Sequence, residues 1–295
     1  MKLGLTKCYT VFAIVAICCM HSAKAQLSDL VRLEYSFIPS SKSDDEYTRL
    51  RGILNVPIKI QENDYLVVGG EYNRIILNLE EDYPFNTDDI NQLHIIDLSL
   101  GYTFKCKNDW RLGLNINPRI ASTLTQSITS DDLFLNGGVF AIRDRTKADI
   151  KRPYRLVLGL TYNTTAGIPI PLPFVSYFRQ INNNWSFNLG VPKSNLKYAF
   201  DRHSFLQGFA SLDGYFANIQ QPMTVDGREV NNISLSVAVG GLGYEYCFTK
   251  HIVAYTYIGY TFRLNNVLRN ENRDEVFKLN ELNAFYLRTG LKFRI

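Results

Sequence analysis

The run Asp201-Arg202-His203-Ser204 is the one stretch that gathers the residue types of a serine hydrolase: an acid, an imidazole base and a hydroxyl nucleophile. Adjacent residues of a strand project to opposite faces, so His203 there could not take the proton of Ser204. The expectation is a polar turn, with no catalytic residue assigned. His94 and His251 sit at strand ends, and His21 lies in the apolar N-terminal segment. The loop acids Glu80, Glu81, Asp82, Asp88 and Asp89 have calcium-binding chemistry but not the ligand spacing of a hand-type loop. A solvated charged loop is expected, with no metal and no cofactor. Gly69-Gly70, Gly137-Gly138 and Gly240-Gly241 precede no helix, so they are expected to be bulges or bends of a curved sheet, not phosphate loops. Cys106 and Cys247 lie near the ends of distant strands and are expected to be unpaired.

A larger set of charges recurs on alternate residues. Arg32, Glu34, Arg51, Lys59, Glu71 and Asp97 fall on the polar side of strand-like segments in the first third of the chain. Arg111, Arg119, Arg155, Arg288, Lys292 and Arg294 do so further on. On one face of a closed sheet these twelve residues would line its interior. Two arrangements are open: a wet pore whose cationic walls favour anions, or a mutually paired network filling a narrow lumen. Because both signs occur, the paired network is the expected one.

What positions them is period two, the signature of strands with two unlike faces. In Trp110 to Ile120 the even residues are Trp, Leu, Leu, Ile, Pro and Ile, and the odd ones are Arg, Gly, Asn, Asn and Arg. Val31 to Phe37, Leu50 to Ile60, His94 to Phe104, Tyr154 to Tyr162 and Phe285 to Ile295 alternate likewise. Further strand-like runs cover 65–78, 133–143, 174–181, 205–219, 232–247 and 252–263, with a shorter pair near 185–191 and 196–200. About twelve full strands result, or fourteen with the short pair. Several exceed the roughly 9–11 tilted residues that cross a bilayer and the ~5–6 usual in globular sheets.

The connections alternate between short and long. Gln61–Asp64, Cys106–Asp109, Ile181–Asn184, Asp201–Ser204 and Phe248–His251 are short. Pro39–Asp45, Leu79–Gln92, Ser122–Asp132, Thr164–Pro173, Gln220–Asn231 and Leu264–Leu282 are long. Short periplasmic turns and longer outer loops follow this pattern in outer-membrane barrels; only Asp144–Pro153 is out of step. Aromatics are 13% of the chain and gather toward strand ends, as in Tyr102/Phe104, Tyr244/Tyr246 and Tyr260/Phe262, where interfacial girdles belong.

Residues 1–25 have the form of a cleaved export signal: Lys2 and Lys7, the apolar stretch Val11–Met20, then Ala23-Lys24-Ala25 before Gln26. Residues 26–295 would form the barrel domain. The formal net charge is +4, and Lys2, Lys7 and Lys24 carry three of those charges, leaving about +1. Such a near-neutral chain offers no basis for nucleic-acid binding.

The chain resembles the uncharacterised outer-membrane β-barrel families of diderm bacteria, filed as domains of unknown function. The features that carry this are the leader ending Ala23-Lys24-Ala25-Gln26, the opening strand Leu33-Glu34-Tyr35-Ser36-Phe37, the segment Asn188-Leu189-Gly190-Val191-Pro192-Lys193 and the closing Leu291-Lys292-Phe293-Arg294-Ile295. The resemblance spans nearly all of 26–295 and implies no activity. Such proteins usually end in aromatic residues read by the barrel-assembly machinery; here Ile295 is last, with Phe293 on the same face. The expectation is therefore an all-β protein: a closed antiparallel transmembrane barrel in the cell outer membrane. Its partners would be outer-membrane lipid and the assembly machinery, and its role structural or passive and porin-like, with no particular solute indicated. The competing readings are an outer-membrane hydrolase acting on lipid or peptide and a secreted soluble β-barrel lipid carrier.

Overall fold

The computed structural model describes residues 29–40, 44–146, 153–164, 170–280 and 282–294. The leader expected over 1–25 lies outside these residues, as do parts of the 39–45, 144–153 and 164–173 connections. The first half of the sheet consists of β1 (Asp29–Ile38), β2 (Glu46–Lys59), β3 (Tyr65–Asn78), β4 (Gln92–Lys105), β5 (Trp110–Ser122), β6 (Leu133–Asp144) and β7 (Tyr154–Tyr162). It continues through β8 (Pro171–Gln180), β9 (Trp185–Val191), β10 (Lys193–Ala199), β11 (Ser204–Val225), β12 (Arg228–Cys247) and β13 (Ile252–Arg269). After the short β14 (Glu275–Lys278), β15 (Phe285–Arg294) pairs with both β13 and β1 and closes the ring. Each ring strand is antiparallel to its neighbours, and β14 is an extra edge on the far end of β13. The barrel has fourteen strands: the short pair, β9 and β10, are full members of the wall.

Alternation sets the two faces. Leu98, Leu114, Leu160 and Leu291 are each at least half exposed on the outside, whereas Asp97 and Arg119, one residue from an outward side chain, are buried. Closure pairs the backbone and leaves an apolar outer belt, the arrangement hydrocarbon requires.

The glycine pairs differ from the expected bulges. Register runs unbroken through Gly69-Gly70, Gly137-Gly138 and Gly240-Gly241. No bulge is present, and Gly69, Gly137 and Gly241 stand where a Cβ would meet a neighbouring atom at under 3.0 Å. Gly241 lies opposite Gly259, and a Cβ on Gly241 would stand 2.1 Å from the Ile258 carbonyl oxygen.

The predicted long loop over 220–231 is mostly strand. β11 and β12 are 22 and 20 residues long and meet at Asp226-Gly227, both at positive φ (50° and 73°), the backbone of a tight hairpin turn. β13 likewise runs on to Arg269.

The lower wall on one side explains where this long hairpin goes. β9 and β10 have seven residues each and are joined through Pro192, so the pairing of β10 with β11 ends at Lys193–Ser211. Beyond Ser211, β11 has β12 on one edge and no β10 on the other. It leans inward until Asn218 pairs in parallel with Ser122, at the outer end of β5. Those seven residues span roughly 23 Å at ~3.3 Å each, enough to cross the mouth.

Two substitutions test this wall. Leu114→Arg, on the outward face near the middle of β5, is expected to lower unfolding stability in bilayers by about 2–4 kcal/mol. Gly241→Val drives a side chain into backbone and is expected to cost about 1–3 kcal/mol. Urea unfolding followed by loss of the compact, heat-modifiable gel band measures both, and wild-type midpoints in both variants would contradict the assigned faces.

Candidate functional site

The inner face changes character along its length. Near the outer ends of the strands both faces are apolar, so Ile38, Tyr47, Ile75, Leu77, Leu93, Ile95 and Ala121 point inward and are buried. They pack against the crossing hairpin through Tyr215, Ala217, Ile219, Val230, Ile233 and Leu235. Tyr47 stacks on Tyr215 with ring centroids 6.2 Å apart, and Phe134 meets Phe216 edge-on at 5.6 Å. This layer is an apolar seal over the mouth.

One carboxylate pins the hairpin in place. Asp132, fully buried at the start of β6, accepts hydrogen bonds from Asn218 Nδ2 at 2.9 Å and Gln220 Nε2 at 2.7 Å. The Thr123 N–H donates to the Asn218 carbonyl at 3.2 Å. Burial alone would raise the Asp132 pKa, but hydrogen bonds from Ser122, Asn218, Thr129 and Gln220 hold it below the usual carboxylate range.

Below the seal the interior is polar and paired. Arg49 on β2 and Arg288 on β15 converge on Asp213 of β11, with Arg49 at 2.6 and 3.0 Å. Arg51 grips Glu71 with two bonds of 2.7 and 2.8 Å and reaches Glu34 at 3.5 Å. Glu34 accepts from Tyr255 Oη at 2.6 Å and lies 3.7 Å from Arg32, which also binds Asp29. Arg119 holds Asp97 at 2.7 and 2.9 Å and donates to Thr164 at 2.7 Å. Lys197 and Lys292 share Glu245, at 2.8 and 3.4 Å, with Tyr257 and Gln207 as further donors.

Of the twelve charges marked in the sequence, Arg32, Glu34, Arg51 and Glu71 therefore form one chain of contacts, while Asp97 with Arg119, Arg288 and Lys292 enter the neighbouring clusters. The other four lie toward the short-turn end. Arg111 donates to the Asn63 carbonyl, Arg155 pairs with Asp144 at 2.9 Å, Arg294 approaches Cys247 Sγ at 3.7 Å, and Lys59 is exposed. Sequence reasoning missed Arg49, Asp213, Lys197 and Glu245. Parity could have found Glu245, which lies between the outward Tyr244 and Tyr246. It hid Asp213, whose inward face also carries Phe209.

The 201–204 run forms a turn at the short-turn end. Asp201 Oδ1 accepts the backbone N–H groups of His203 and Ser204 at 2.6 and 2.8 Å, which hold its carboxyl below the usual range. His203 Nδ1 faces the Cys247 carbonyl at 2.8 Å, and Ser204 Oγ accepts from Tyr244 Oη at 3.3 Å, so imidazole and hydroxyl have separate partners. Among the loop acids the described residues form no group of three metal-ligating side chains. The backbone there is tied instead to Asp45, which accepts the N–H groups of Glu80 and Glu81 at 3.0 and 3.2 Å. Cys106 and Cys247 are free thiols.

A closed barrel with an apolar outer belt and a polar interior is an integral outer-membrane β-barrel, in contact with membrane lipid. Among solved structures the chain is similar to the COG4313 outer membrane channel from Pseudomonas putida F1, at 12% identity over 94% of this chain and 98% of that one, with a TM-score of 0.46. It is also similar to the NanC porin, at 11% identity over 90% and 100% of the two chains and a TM-score of 0.39. A third similar structure is the translocator domain of the autotransporter NalP from Neisseria meningitidis, at 11% identity over 99% and 96% and a TM-score of 0.37. No curated protein matches the chain. The profile of a domain of unknown function, DUF6268, matches residues 21–294, nearly the whole chain, and the protein belongs to that family.

Proposed function

We propose that this protein is a passive, channel-like barrel whose outer mouth is shut by the β11–β12 hairpin. The observation that carries this is the pairing of Asn218 with Ser122 across the mouth, above an interior built from charges and amides. Buried ion pairs stabilise a fold little better than well-packed apolar side chains of the same volume. A polar interior is favoured where water or a hydrophilic solute must enter. An apolar layer held by a single hairpin is the part of such a barrel that can move without breaking the ring. In the same proposal residues 1–25 are a leader removed on export, residues 26–295 form the barrel domain, insertion runs through the barrel-assembly machinery, and no nucleic-acid partner is involved. The separate partners of His203 and Ser204 favour this reading over a hydrolase at that turn.

Planar-bilayer recording of the refolded protein tests the proposal. The wild-type barrel is expected to conduct rarely. Asp132→Ala removes the acceptor of two side-chain bonds to the hairpin and is expected to raise open probability at least roughly tenfold. Replacing Tyr215–Leu235 with a two-residue turn, a deletion that removes the crossing segment and keeps Asp213, is expected to do so further. A Ser122→Cys, Asn218→Cys disulfide should silence the barrel until it is reduced. Silence in the deletion variant would sink the channel reading.

A second prediction concerns the ion-pair layer. Asp213→Ala strands Arg49 and Arg288 in the interior and is expected to destabilise the barrel by about 3–5 kcal/mol. Asp213→Ala with Arg49→Met should recover part of that loss. Urea unfolding of the single and double variants measures both.

A further inference from the structure

The β2–β7 side of the interior differs from the rest. Here a cavity of about 210 Å³ opens among Ser99, Asn115, Asn117, Asn136 and Thr161, with the Arg51–Glu71 and Arg119–Asp97 pairs at its edge. Both guanidinium groups are already bound two-fold by a carboxylate, so the wall presents two positive and two negative charges that cancel locally. Neither an anion nor a cation gains a free counter-charge there.

What remains is hydrogen-bonding capacity. Asn115 Nδ2 donates to Asn117 Oδ1 at 2.7 Å, and Asn117 Nδ2 donates in turn to Ser99 Oγ. At the end of this ladder Asn115 Oδ1 is buried with no hydrogen-bond partner among the described residues. That oxygen is shielded from the cavity, whose polar lining is supplied by Ser99, Asn117, Asn136 and Thr161 beside the rest of Asn115. A Cβ built on Gly138 would lie 3.0 Å from each of Asn115 Oδ1, Phe140 Cζ and Thr161 Cγ2, so these side chains already close tightly around Gly138, outside the cavity lining. Phe140 is braced edge-on by Phe174 at 5.4 Å.

We infer that this cavity is a binding site for a neutral polyhydroxylated solute about the size of one hexose. Its volume equals about seven waters at ~30 Å³ each. Hydroxyl groups suit the amides and hydroxyls that line it. The inference deepens the channel reading by naming a solute class, and rests on that reading for the solute's route but not for its binding.

The test uses the purified full chain and the variant in which a two-residue turn replaces Tyr215–Leu235, so that the seal does not decide the result. Glucose is the probe, with gluconate and glucosamine as charged counterparts, read by saturation-transfer NMR and titration calorimetry. Glucose is expected to bind on the order of millimolar, no more weakly than either charged sugar. Asn115→Leu and Asn117→Leu, which remove amide groups, should each weaken binding by roughly tenfold or more. Where a leucine variant fails to fold, Asn115→Ser carries the test. No glucose binding in either form, tighter binding of gluconate or glucosamine, or unchanged binding in every folded variant overturns the inference. Conductance without glucose binding removes the site and leaves the channel. Glucose binding in a barrel that stays silent without its hairpin removes the channel and leaves the site.

Discussion

A strand edge left unpaired in hydrocarbon exposes N–H and C=O groups to a medium that offers them nothing, at several kcal/mol per group. Everything else in this protein depends on removing those edges. The β1–β15 ladder, running from Asp29 opposite Arg294 to Phe37 opposite Leu287, joins the two ends of the described chain, and β13–β15 completes the ring. The final strand is thus part of the seam, and its alternation decides the faces on both sides: Leu291 and Phe293 outward, Arg288 and Lys292 inward.

Closure also explains the one place where the ring is uneven. Because β9 and β10 are short, β11 emerges above them with a bare edge, and a bare edge needs a partner or a cover. The sequence supplies both. β12 pairs with one side of β11 along most of its length, and the inward lean places the rest against β5 and the apolar rim of β3 and β4. The seal and the low wall therefore have the same cause, the shortness of the β9–β10 hairpin.

Much of this was legible before any coordinates. Alternation located the strands, and the outward leucines of β4, β5, β7 and β15 follow from parity alone. The seal was not legible. In Ile75-Ile76-Leu77 and Ile95-Ile96 both faces are apolar, and a period-two count registers such runs as imperfect strands rather than as positions where the interior itself turns apolar. Asp226-Gly227 was a hairpin signal inside what composition suggested was a loop, since the flanking Gln220, Gln221, Asp226, Arg228 and Glu229 are polar. The candidate cavity was half legible. Asn115, Asn117 and Arg119 stand on the polar side of β5 by parity, but no sequence pattern tells that Arg119 is neutralised by Asp97.

The charged interior and the apolar seal constrain one another. Guanidinium and carboxylate groups away from bulk water gain little net stability, since desolvation offsets most of their attraction. A barrel selected for rigidity alone would do as well with leucine and phenylalanine inside. The sequence instead places apolar side chains at the mouth and keeps five inward carboxylates, Glu34, Glu71, Asp97, Asp213 and Glu245, below it. Lys292–Glu245 and Tyr255–Glu34 tie strands that are not neighbours and do not involve the crossing segment, so the ring keeps these ties without the hairpin. The hairpin is held by an apolar contact layer, by Asp132 at its far side and by Arg49 and Arg288 on Asp213 at its base. Asp213 apart, rigidity and closure are thus assigned to different interactions, and a barrel built that way can lose its seal while keeping its wall.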